Sequence, residues 1–66
     1  MRIVANGKPY EIDAGTTVEA FIHSRGLDPK LVVVERNGEP LDRDRYGSVT
    51  VEEGDRLELV RAVAGG

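Results

Sequence analysis

Two Asn-Gly pairs, Asn6-Gly7 and Asn37-Gly38, constrain this chain more than any other feature. A two-residue hairpin loop of type I′ needs positive φ at both central positions, and asparagine followed by glycine reaches that geometry with little strain. Each pair lies between runs with strand character. Before the first, Met1, Ile3 and Ala5 alternate with Arg2 and Val4. After it, Lys8-Pro9-Tyr10-Glu11-Ile12 returns as a short strand, with Pro9 near its beginning, where a missing N–H is tolerated. Before the second pair, Leu31-Val32-Val33-Val34-Glu35-Arg36 is the most β-branched run in the chain, and Glu39-Pro40-Leu41 follows. Two tight hairpins are expected.

One helix is expected between them. Thr16 followed by Glu19 has the spacing of a capping box, in which each side chain satisfies an unpaired N–H of the first turn. Val18, Phe21 and Ile22 form one apolar stripe, and Gly26 stands where a left-handed C-terminal cap is wanted. The spacing predicts a helix over 17–25. Asp42-Arg43-Asp44-Arg45-Tyr46-Gly47 reads as a solvated loop with Tyr46 turned inward, and Ser48-Val49-Thr50-Val51 puts two apolar residues on one side. Glu53-Gly54-Asp55 is a turn before a last strand over 56–61, with Leu57 and Leu59 pointing one way.

The order of elements predicts an α+β fold, a mixed sheet of four to five strands packed on one helix. Its core is expected from Ile3, Ile12, Val18, Phe21, Ile22, Leu41, Val49, Leu57 and Leu59. Which faces of the third and last strands are buried is left open, because Val33 and Val60 supply apolar atoms on the opposite side. That surplus is a candidate docking patch.

At 66 residues the chain forms one domain, and a domain of this size buries only about 60% of its unfolded surface. No cysteine is present to add a disulfide or a thiolate metal site. No stretch has the length of a membrane span or the apolar run of a signal peptide, so a cytoplasmic protein is expected. A net charge of −3 gives no basic footprint for nucleic acid and suits a basic protein partner better. His23, the only histidine, has no acid or ligand partner in the sequence, and no nucleophile–base pair or metal-ligand spacing points to an enzyme.

The chemically distinctive group is then the end, Arg61-Ala62-Val63-Ala64-Gly65-Gly66. It is expected to form a flexible tail over 63–66, after a domain over 1–62. An α-carboxylate has a pKa near 3.5, so Gly66 is an anion at neutral pH and reacts only once activated. Glycines lack Cβ and let a backbone pass close to the walls of a partner's site. Four extended residues reach roughly 13 Å.

Arg36-Asn37-Gly38-Glu39-Pro40-Leu41-Asp42-Arg43, Glu52-Glu53-Gly54-Asp55-Arg56-Leu57-Glu58-Leu59-Val60 and Ala62-Val63-Ala64-Gly65-Gly66 together resemble the ThiS-type sulfur carriers of thiamine biosynthesis. Ile3, Asn6-Gly7 and Gly15-Thr16-Thr17-Val18 are similar to the same pattern, so the resemblance covers nearly the whole chain. It implies a β-grasp, ubiquitin-like fold. The Glu-Gly-Asp turn, alternating strand and Gly-Gly end are shared with the wider carrier group, including the small subunit of molybdopterin synthase and tRNA-thiolation carriers. Asn37-Gly38-Glu39, with Arg43 and Tyr46 after it, favours the thiamine branch.

The resemblance further implies that the carrier binds no cofactor itself. A ThiF-like activating enzyme would use ATP and Mg²⁺ to adenylate the Gly66 carboxylate, and a persulfide donor, a cysteine desulfurase, would convert it to a thiocarboxylate. A ThiG-like thiazole synthase would then take the sulfur. Ala64 and Gly65 would enter the partner's site with Gly66, and the surplus apolar residues Val33 and Val60 are the candidate docking surface outside it. Without cysteine, no side-chain persulfide can carry the sulfur. Two other classes stay open: a ubiquitin-like modifier that joins Gly66 to a lysine, and an interaction domain with an inert terminus.

Overall fold

The computed structural model describes residues 1–62. Strands β1 (Arg2–Ala5) and β2 (Lys8–Glu11) form the first hairpin, and β3 (Val32–Arg36) and β4 (Glu39–Leu41) the second. Both turns have positive φ at both centres: Asn6 51° and Gly7 78°, Asn37 53° and Gly38 85°. The last strand, β5 (Arg56–Arg61), enters between the hairpins, parallel to β1 and antiparallel to β3. The result is a five-stranded mixed sheet in the order β2-β1-β5-β3-β4. Its two edge strands each carry a proline, Pro9 in β2 and Pro40 in β4. A proline has no N–H to offer a foreign strand, so both edges are blunted against further pairing.

Helix α1 (Val18–Ser24) crosses one face of the sheet. Thr17 is its cap and not Thr16, because the Thr17 side chain accepts from Ala20 N–H at 3.0 Å. Glu19 is then one position short of the capping box expected from its spacing. The cause is tertiary: Val51 N–H donates to the Thr16 carbonyl and Val18 N–H to the Val49 carbonyl, both at 2.9 Å, around a bridge between Thr17 and Thr50. That bridge holds Thr16 outside the helix. Glu19 N–H donates to the Tyr46 carbonyl at 2.9 Å, so the loop 46–49 satisfies first-turn donors that a capping box would otherwise serve. At the other end, Gly26 (φ 75°) and Leu27 donate back to the His23 and Ile22 carbonyls at 2.9 and 3.2 Å. This is the Schellman pattern, and it requires a left-handed residue at the Gly26 position.

The core lies between α1 and the inner face of the sheet. Ile3, Val18, Phe21, Ile22, Leu57 and Leu59 are buried as expected. Ile12, Leu41 and Val49 are not core; they flank it half-buried. Ile12 lies beyond the end of β2 and Leu41 sits on edge strand β4, so neither is covered on all sides. Their places are taken by Val32, Val34, Val51 and Tyr46, whose hydroxyl donates to the Val32 carbonyl at 2.8 Å. Burial of Val32 and Val34 decides the face of β3, and it turns Val33 outward.

Candidate functional site

Because β5 is the central strand, the last described residues leave the sheet from its middle and not from an edge. Two contacts fix that exit. Asn6, placed by its turn at the end of β1, pairs its side-chain amide with Leu59: Nδ2 donates to the Leu59 carbonyl at 3.2 Å and Oδ1 accepts from Leu59 N–H at 2.8 Å. The asparagine thus supplies turn geometry and extends the β1–β5 ladder. On the other side Ala62 N–H donates to the Leu31 carbonyl at 2.6 Å. The point from which residues 63–66 depart is therefore held by both neighbours of β5. Ala64, Gly65 and Gly66, and the tail expected over 63–66, lie outside the described residues.

The start of β5 is held by a buried carboxylate. Asp55, only 5% exposed, accepts from Arg36 Nε at 3.0 Å, from Asn37 Nδ2 at 3.0 Å and from Glu52 N–H at 2.8 Å. Asn37 Oδ1 in turn accepts from Arg56 N–H at 2.9 Å, so the second hairpin is tied to β5 much as the first is. Burial would raise the Asp55 pKa, but the hydrogen bonds from Asn37 and Glu52 and the Arg36 guanidinium outweigh it and hold the carboxyl below its usual 3.8. A depressed folded pKa adds stability that is fully present above 3.8 and is lost as pH falls through the lower folded value. Asp55→Asn should therefore cost about 2 kcal/mol at pH 7. The gap from the parent should narrow in urea melts carried below pH 3.8, and a gap independent of pH would contradict this role.

Val33 and Val60 meet as directly opposed residues of β3 and β5 on the face away from α1, 47% and 59% exposed. Leu31, 47% exposed, adjoins them at the tail exit. The structure thus joins the two apolar candidates into one patch beside that exit. Elsewhere, the open pocket between β2 and α1 includes Tyr10, Phe21, Ser24 and Arg25. Ser24 already donates to the Phe21 carbonyl at 2.6 Å, and the Arg25 guanidinium stacks 4.8 Å over the Tyr10 ring. His23 is exposed on α1 and makes no ion pair among the described residues. Among the described residues no group of three or more His, Asp or Glu could hold a metal, and no helix is long and apolar enough to cross a membrane.

Asn6 and Asp55 are absent from the site residues expected from sequence. The first was visible only as a turn former, and the second only as part of a Glu-Gly-Asp turn. An asparagine before glycine, where aspartate would serve the turn equally well, is the one signal that an amide is needed.

The ThiS family model matches residues 3–66. The sulfur carrier protein ThiS of Bacillus subtilis is 38% identical, covering 92% of this chain and 94% of that protein. The crystal structure of the thiamine biosynthesis protein ThiS from Geobacter metallireducens superposes with a TM-score of 0.81 at 32% identity, over the whole of both chains. A thiazole synthase of Magnetococcus marinus is 41% identical over all 66 residues, and the chain spans 20% of that protein's length. Five strands in this order on one helix, with a matching family model along nearly all its length, place the chain in the ThiS family of β-grasp proteins.

Proposed function

We propose that the chain is a sulfur carrier of thiamine biosynthesis that works through the Gly66 carboxylate. Its near full-length likeness to the ThiS carriers of Bacillus subtilis and Geobacter metallireducens is the observation that carries this. A ThiF-like enzyme uses ATP and Mg²⁺ to join the carboxylate to AMP, releasing pyrophosphate. A persulfide from a cysteine desulfurase attacks the acyl carbon and displaces AMP. Cleavage of the new S–S bond by a second thiol leaves the thiocarboxylate on Gly66 and a disulfide on the donor. The acceptor is a ThiG-like thiazole synthase. Support for it comes from the thiazole synthases of Magnetococcus marinus and Paramagnetospirillum magneticum, which contain a stretch like this chain within their own length. The carrier binds no cofactor, and the cytoplasm, where ATP is available, is its place of work.

Val33 and Val60 dock on the activating enzyme while Ala64, Gly65 and Gly66 enter its site. An exposed apolar pair gains from burial only in the complex, so its loss should weaken binding without unfolding the domain. Val60→Ser, which removes apolar area and adds no charge, should raise the KM of the carrier in ATP-dependent adenylation about three- to tenfold while melting near the parent temperature. Adenylation with an unchanged KM would remove Val60 from the interface.

A further inference from the structure

Next to the Val33–Val60 pair in the β3–β5 register stands Glu35 opposite Glu58. Directly opposed residues share a face with Cβ atoms roughly 4.5–5.5 Å apart, and like charges so placed disfavour the sheet. Both carboxylates are exposed on the outer face. Among the described residues the ion pairs join Arg2 to Glu11 and Arg36 to Glu52 and Asp55, so neither Glu35 nor Glu58 has one. Arg56 shares the outer face two residues before Glu58 and pairs with neither. Within the isolated domain no ion pair among the described residues offsets this arrangement.

We infer that Glu35 and Glu58 receive an arginine side chain of the activating enzyme, with the aliphatic part of that arginine lying over Val33 and Val60. The inference rests on the carrier function proposed above. Two residues along a strand separate the valine pair from the glutamate pair by roughly 6.6 Å, about the length of an arginine stem. An arginine lying along the strands therefore puts methylenes on the valines and its guanidinium between the carboxylates. The planar fork of five N–H donors can serve two carboxylates at once, which a compact ammonium does less well. The net charge of −3 adds attraction for a cationic surface at longer range.

The test is the double variant Glu35→Gln, Glu58→Gln, assayed with the purified ThiF-like enzyme, ATP and Mg²⁺. Glutamine keeps the shape and removes the repulsion, so the variant should melt at or above the parent temperature. Its KM as carrier should rise about tenfold or more, with kcat unchanged and a flatter dependence of KM on salt. An unchanged KM, or an unchanged salt dependence, in a variant whose parent is adenylated normally overturns the docking inference alone. A marked fall in melting temperature also overturns it, by showing that the pair already serves the fold. A parent chain that is not adenylated removes the carrier function and the docking inference together.

Discussion

Phe21→Ala is expected to leave a large part of the protein unfolded at room temperature. Phe21 is 1% exposed, at the centre of the contact between α1 and the sheet, and its ring meets Tyr10 of β2 edge-on at 5.5 Å between centroids. Truncating a buried phenylalanine to alanine costs about 3–5 kcal/mol, from lost transfer energy and the cavity left behind. A domain this small has about 3–10 kcal/mol in total. No disulfide limits the unfolded chain, since there is no cysteine. Tyr10 would also lose its aromatic partner, which adds about 1 kcal/mol. Far-UV circular dichroism across a thermal melt checks this. A melting temperature within about two degrees of the parent would show that α1 does not close the core through Phe21.

Deleting Gly66 should do the opposite, leaving the fold intact and abolishing sulfur loading. The deletion draws the carboxylate back by roughly 3.3 Å, and reactions that need a near-attack geometry lose orders of magnitude in rate from smaller displacements. Every described contact that holds β5, from Asp55 to the bond between Ala62 and Leu31, lies upstream of the change. The melting temperature should therefore match the parent while adenylate formation falls by about a hundredfold or more. Adding one alanine after Gly66 should act similarly, since it moves the carboxylate outward and brings a Cβ against the walls of the partner's site. Normal loading of either variant would rule out the terminal carboxylate as the reacting group.

The sequence makes the hairpins legible because Asn-Gly encodes a dihedral requirement and little else competes with it. The Gly26 cap is legible for the same reason. The start of α1 is not, since Thr16 and Thr17 are equally able caps and the choice falls to the bridge with Thr50, 33 residues later in the chain. The buried face of β3 is likewise hidden. Leu31 to Val34 are all apolar, so no period-two pattern exists to read, and only the register with Leu57 and Leu59 of β5 selects Val32 and Val34 for the core. At the site, Val33 and Val60 are visible as surplus apolar residues, but their contact depends on that same register. The burial of Asp55 is unreadable from its neighbours because two of its three partners, Arg36 and Asn37, come from the second hairpin.

The intact mass of the protein tests the sulfur-carrier claim most directly. Incubated with the activating enzyme, ATP, Mg²⁺, a cysteine desulfurase and cysteine, the chain should gain about 16 Da, the difference between a carboxylate and a thiocarboxylate, and the gain should map to a C-terminal peptide ending in Gly66. A mass that stays unchanged although adenylate forms, or an isopeptide adduct between Gly66 and a lysine in its place, would contradict a sulfur carrier.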